Sequence, residues 1–250
     1  MNIKRAVEQH IEMENFFSGG QYIRSKETAA KPTRNNGNSQ TAQPVLRSVS
    51  EGGKELEEIA NEVKQCRKCE IGSTRTNAVP GEGNAGARIF FIGEAPGADE
   101  DAQGRPFVGR AGQLLDKIIA AMGLKREDVY IGNILKCRPP ENRTPKAEEI
   151  INCLPYLKRQ IEIIKPDIIV ALGAYAAQTL LETTKAIGQL RGHFFDYYPG
   201  LGKPPIKLLA TFHPAYLLRN YTVESRQKVW EDMKKVLAEL DLPISQKGNK

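Results

Sequence analysis

A chain of 250 residues with 40% hydrophobic content can bury one substantial core, and a shift in composition shows that its first fifty or so residues do not share in it. The formal charge of +6 favours an acidic partner over a cationic one, nucleic acid being the commonest. No apolar run approaches a signal core or a membrane span, and four cysteines in a chain without an export signal point to metal ligation rather than disulfides. The expected setting is the cytoplasm, in contact with the nucleoid and not with a membrane.

Residues 1–53 are rich in Gly, Ser, Asn, Gln and Lys, and their centre, KPTRNNGNSQTAQP, is too polar to offset the entropy of ordering. They are expected to form a largely disordered extension, with a short amphipathic helix over the first seventeen residues carried by Ile3, Val7 and Ile11. A domain is expected over 54–240. It opens with a helix from Lys54 to Lys64, patterned by Leu56, Ile59 and Val63, that runs into the pair Cys66 and Cys69. The run Ile89, Phe90, Phe91, Ile92 is a buried strand stopped by Gly93, and a turn-rich loop follows to Gly109, with Pro96 and Gly97 keeping the chain out of a helix. A helix with Leu114, Leu115, Ile118 and Ile119 on one face ends at Gly123. The second strand is VYIGNIL. Thr144 is the expected N-cap and Pro145 the first residue of the next helix, which Pro155 should kink or divide. The third strand is PDIIVALG, a helix carries Tyr175 to Leu181, and the fourth strand, KLLATF, leads to His213. An amphipathic helix through Leu240 closes the domain, and 241–250 is a polar tail. Four strands alternating with helices indicate a three-layer α/β/α sandwich around a four-stranded parallel sheet.

Three polar residues then fall in equivalent places: Glu94 after the first strand, Asn133 late in the second, and His213 after the fourth. In a parallel sheet those ends share one edge, where open α/β sheets bind ligands. An amide reads a ligand edge that both donates and accepts, an imidazole stabilises charge growing on a carbonyl oxygen, and a carboxylate orients water or stabilises a developing cation. Phe107, the one large aromatic in a stretch shaped by Gly and Pro, can complete a pocket for a flat heterocycle or anchor the loop on the core. After His213 come Pro214, Leu217, Leu218 and Arg219, which suit a wedge entering a base stack with a cation for phosphate; the bland alternative is that the leucines start a helix and pack inward. Cys66, Cys69, Cys137 and Cys153 can enclose one tetrahedral site, and spacing alone does not separate zinc from a [4Fe–4S] cluster. No P-loop or dinucleotide fingerprint supports a nucleotide-binding domain.

The segments GEAPGADEDAQGRPFVGRAG, GNILKCRPPENRTP and FHPAYLLRN, with the four cysteines in order, resemble the family 4 uracil-DNA glycosylases from about Leu56 to Leu240. The resemblance implies a structural [4Fe–4S] cluster on Cys66, Cys69, Cys137 and Cys153, zinc being the lesser candidate. It implies a uracil pocket made of Gly93, Glu94, the backbone around Ala95, Phe107 on the base, Asn133 at its edge and His213 at its carbonyl. The implied activity is hydrolysis of the N-glycosidic bond of deoxyuridine in DNA for base excision repair. The chain departs from the family at Ala215, where a Ser is usual after His-Pro. The alternative is a protein of the same superfamily that holds uracil-DNA without turnover or traps it covalently. Some relatives trap DNA through a His in a loop after the second strand, and here no His lies between Cys137 and Cys153. A single-domain enzyme of this kind is expected to be monomeric. The N-terminal tail leaves room for contact with a replication or repair protein, although no motif specifies one.

Overall fold

The computed structural model describes residues 49–243, with side-chain surroundings from residue 52; the short helix and linker expected nearer the N-terminus, and the last seven residues, lie outside them. The elements in order are α1 (Val49–Gln65), α2 (Ile71–Thr74), β1 (Glu82–Gly83), β2 (Ile89–Gly93), α3 (Ala98–Gln103), α4 (Arg110–Ala121), β3 (Tyr130–Asn133), α5 (Ala147–Ile164), β4 (Ile168–Leu172), α6 (Ala174–Leu181), α7 (Ile187–Leu190), β5 (Phe194–Tyr197), β6 (Ile206–Thr211), α8 (Pro214–Arg219) and α9 (Val223–Glu239). Among the described residues no helix is long and apolar enough to cross a membrane.

The sheet has six strands rather than four, in the order β1-β3-β2-β4-β6-β5. The expected four form the parallel centre, and β1 and β5 add antiparallel edges. Both edges escape the sequence pattern for physical reasons. β1 is two residues long, and β5 is four residues at a sheet margin with two partly buried positions, one exposed and one buried, which gives neither an apolar run nor a clean alternation. The central strands are buried on both faces, so successive residues serve opposite layers. Phe90, Ile92, Ile169, Ala171 and Leu208 pack with α1, α5, α6 and α7. Phe91, Ile131, Val170 and Leu209 pack with α4, α8 and α9. Phe90 and Phe91 are each 0% exposed, and truncating either to Ala would cost about 3–5 kcal/mol.

Four local expectations are corrected. α1 begins at Val49, before the expected Lys54, because Gly52 and Gly53 are carried inside it where it passes Ile163. The stretch after Pro96 and Gly97 is not all loop: α3 starts at once, with Asp99, Glu100 and Asp101 in its first turn complementing the positive end of the helix and the Glu100 carboxylate accepting from Gly97 N–H at 3.1 Å. α5 starts at Ala147, not Pro145, since the Glu149 carboxylate accepts from Lys146 N–H at 2.8 Å and supplies the cap expected of Thr144. Pro155 does not divide α5. It sits on the exposed face, where water can satisfy the carbonyl left without an N–H.

Candidate active site

The C-terminal ends of β2, β3, β4 and β6 open onto a cavity of about 560 Å³ lined by Glu94, Ala95, Phe107, Asn133, Gly173, His213 and Arg219, among others. The switch in strand order explains its place. Leaving β2 the chain joins one helical layer through α4, and leaving β4 it joins the other through α6, so a crevice opens between the two strand ends.

Asn133 ends β3 opposite Gly93 in the parallel register. Pairing continues past the strand, with Ile134 N–H donating to Gly93 O at 2.9 Å and Leu135 N–H to Glu94 O at 3.0 Å. The amide is 1% exposed, and its Oδ1 is buried with no hydrogen-bond partner. Leaving a buried acceptor unpaired costs about 1–3 kcal/mol, so this oxygen is set to receive an N–H from a ligand. Gly93 supplies the room. A Cβ there would lie 2.4 Å from Asn133 Oδ1 and 2.6 Å from Phe107 Cζ.

Phe107 is 5% exposed and belongs to the core as well as to the cavity wall, so both readings of its sequence position hold together. Its backbone is left-handed at φ 50°, a conformation that costs a non-glycine residue of order 1 kcal/mol. The surroundings enforce it. Glu100 Oε1 accepts from Val108 and Gly109 N–H, each at 2.9 Å, and the Arg126 guanidinium donates to the carbonyls of Pro106 and Phe107. Arg126 is itself held by Glu82 and Asp116. Sequence reading missed Glu82, Glu100 and Arg126: Glu82 and Arg126 meet across 44 residues, and Glu100, although inside the quoted segment, acts through backbone N–H groups that no pattern of side chains reveals.

His213 follows β6 and approaches the cavity over the end of β4, where Gly173 leaves space; a Cβ on Gly173 would lie 3.0 Å from that of His213. Its ring centroid is 5.6 Å from that of Phe107. Nδ1 accepts from Ala215 N–H at 3.0 Å, which places the proton of the neutral ring on Nε2 and makes that atom a donor. Burial, with Arg219 adding to it and Glu100 opposing, pushes the imidazole pKa down to about 4. The ring is therefore neutral at ordinary pH. Glu94 is half-buried just beyond β2, and desolvation raises its pKa above the usual carboxylate range. Its carboxylate has no hydrogen-bond partner among the described residues, so nothing there offsets the desolvation of its ionised form.

Pro214 starts α8 and is buried. Leu217 is 0% exposed and packs with the second core layer, which corrects its assignment as a wedge; Leu218 is partly exposed and Arg219 is exposed at the cavity rim.

The four cysteines are free thiols that line one small cavity bounded by Val63, Ile71 and Tyr156. Cys66 follows α1, Cys69 precedes α2, Cys137 follows β3 and Cys153 lies on α5. Arg75 Nη1 donates to Cys137 Sγ at 2.8 Å and Lys136 N–H to Cys153 Sγ at 3.2 Å. Burial pushes the Cys153 thiol up to about 12 and also raises Cys137 and Cys69, so these sulfurs become thiolates only against a positive centre. Among the described residues, no three His, Cys, Asp or Glu side chains are grouped so as to hold a single metal ion.

The family description Uracil DNA glycosylase superfamily matches residues 80–234. The chain is 51% identical over 183 residues to the type-4 uracil-DNA glycosylase of Thermotoga maritima, covering 72% of this chain and 93% of that one. It is 48% identical over 186 residues to the type-4 enzyme of Archaeoglobus fulgidus, covering 72% and 91%. With the type-4 enzyme of Saccharolobus solfataricus it shares 47% over 186 residues, covering 72% and 84%.

Proposed function

The chain belongs to the uracil DNA glycosylase superfamily, and from that premise we propose that this cavity hydrolyses the N-glycosidic bond of deoxyuridine in DNA, giving free uracil and an abasic site. The observation that carries the residue roles is the unpartnered Oδ1 of Asn133 in a buried wall. It accepts the N3–H of uracil while the amide N–H meets O4. Cytosine presents an acceptor and a donor in those places and is refused. Phe107 stacks on the base, which has left the helix to reach so enclosed a site.

As the C1′–N1 bond breaks, its electron pair passes to the base and the sugar becomes cationic. His213 Nε2–H donates to the O2 on which negative charge grows, as a neutral donor that loses no proton. Glu94, charged in a desolvated site without a counter-ion, is stabilised by the sugar cation and orients the water that attacks C1′. One proton of that water stays on the new C1′ hydroxyl and the other leaves to solvent, and the uracil anion takes a proton from solvent to leave as free uracil. Arg219 binds backbone phosphate, and Leu218 is the wedge residue that reaches the surface.

Four thiolates around one small cavity suit either a tetrahedral zinc or a [4Fe–4S] cluster, and the likeness to the type-4 enzymes favours the cluster. The cluster would be held by Cys66, Cys69, Cys137 and Cys153 and would tie α1 and α5 to the end of β3, so its chemistry is structural. Purified protein should contain iron and acid-labile sulfide in equal amounts, and Cys137→Ser should lose both and unfold at a lower temperature. Zinc in stoichiometric amount, with full stability, would overturn the cluster.

The activity is tested on an end-labelled oligonucleotide with one uracil, incubated in chelator and then treated with alkali. Scission at uracil, absent with thymine or cytosine in its place and reduced at least tenfold by Glu94→Gln, is expected. Intact strands from a folded, cluster-loaded protein would reject the proposal.

A further inference from the structure

The cavity is longer than a base requires. Beyond the pocket of Asn133 and Phe107 it continues to a rim carrying Arg143, Thr144, Tyr175, Tyr216 and Arg219. Tyr175 is 42% and Tyr216 37% exposed, and they stand among the few large hydrophobic side chains exposed on the described surface.

Neither ring is loose. Tyr216 stacks on Phe212 with centroids 4.8 Å apart and planes at 31°. Phe212 lies under the Arg191 guanidinium at 5.3 Å. Arg191 pairs at 2.8 Å with Asp232, which is 1% exposed and also accepts from Thr211 Oγ1 at 2.6 Å. A column of guanidinium, phenyl and phenol thus rises from a buried ion pair to the cavity rim, and its last ring lines the cavity. On the α6 side, Tyr175 Oη lies 3.3 Å from Thr144 Oγ1. Of the two rim arginines, Arg143 is neutralised by Glu149, while Arg219 has no ion pair among the described residues.

Rigid, half-exposed aromatic rings beside an unpaired cation, continuous with a pocket for an extruded base, are the elements of a single-strand stacking platform. Resting on the glycosylase reading, we propose that Tyr216, with Tyr175, forms a stacking subsite for a base flanking the extruded deoxyuridine, Arg219 holding the phosphate between the two. A base stacked there has left its own helix. The subsite therefore favours single-stranded or locally unpaired DNA, and it tolerates any flanking sequence because every base offers a π face.

The test pairs kinetics with a binding signal. Tyr216→Ala should raise KM for a single-stranded uracil oligonucleotide about tenfold, and for a fully paired duplex by much less, with the loss falling on KM rather than kcat; Tyr216→Phe, which keeps the ring, should restore it. In a non-cleavable 2′-fluoro-deoxyuridine strand with 2-aminopurine on one side of the uracil or the other, the parent should quench one flank and Tyr216→Ala should not. A parent that releases uracil but quenches neither flank, or a Tyr216→Ala protein that quenches and binds as the parent does, would overturn the subsite alone. Equal KM changes on single strand and duplex would do the same. Failure of the parent to release uracil strikes the glycosylase reading instead. Should Tyr216→Ala not fold, Tyr175→Ala carries the same measurements with the same expected directions.

Discussion

Gly93→Ala is expected to reduce kcat/KM on uracil-containing DNA by at least about 10³-fold, beyond the 10²–10³ usual for loss of one well-placed transition-state donor. The added Cβ would stand 2.4 Å from Asn133 Oδ1 and 2.6 Å from Phe107 Cζ. Neither neighbour can yield. Asn133 is 1% exposed at the end of a paired strand, and the Phe107 loop is held through its backbone by Glu100 and Arg126. One methyl therefore displaces both the group that reads the base edge and the ring that stacks on it. Overpacking also costs about 1–3 kcal/mol of stability, so thermal unfolding must be followed beside activity. Gly188→Ala is the control, since a Cβ there meets nothing within 4 Å. A folded Gly93→Ala protein of near-parental activity would show that Asn133 and Phe107 do not bound the base.

The contrast between what was legible and what was not follows from sequence separation. Phe90 and Phe91 announce a strand buried on both faces because composition alone marks such a strand. Glu94, Asn133 and His213 could be brought to one edge because each sits where an apolar run stops, and a parallel sheet gathers those stops. The Gly-Pro-rich stretch around Phe107 could be recognised as special, but not how it is held. Its left-handed φ depends on Glu100, seven residues back, and on Arg126, nineteen residues ahead. Leu217 and Leu218 show the limit of pattern within a motif. Adjacent apolar residues on a short helix point different ways, and only the packing of α8 against the second layer decides that Leu217 is fully buried while Leu218 packs against that layer partly exposed. The column of Arg191, Phe212 and Tyr216, locked by Asp232, joins three segments, and although Phe212 and Tyr216 share one motif, their anchoring by Arg191 and Asp232 left no trace in any local pattern.

His213→Ala is expected to lower kcat by about 10²–10³, the usual loss when one donor to a developing oxyanion is removed, and the pH dependence tells which protonation state does the work. The folded pKa is about 4, against an ordinary value of 6.5. Between those pH values the unfolded chain binds a proton that the folded chain refuses, so stability falls as pH drops from 6.5 toward 4 and this effect ends below 4. With 1.36 kcal/mol per pH unit, the effect is at most about 3 kcal/mol. Denaturant unfolding of His213→Ala should lack this component. Glu94 contributes with the opposite sign, since its raised pKa lets the folded chain bind the extra proton as pH falls. Activity follows a different group from stability. His213 is neutral on both sides of pH 6.5 and should leave no limb there, while the acid limb of kcat/KM should fall at the raised pKa of Glu94 and vanish in Glu94→Gln. A fall in activity as pH rises through 6.5 that disappears with His213→Ala would mean that the imidazolium acts instead, and the hydrogen bond from Ala215 to Nδ1 would then have to break before the enzyme works, because a protonated ring has no acceptor to offer it.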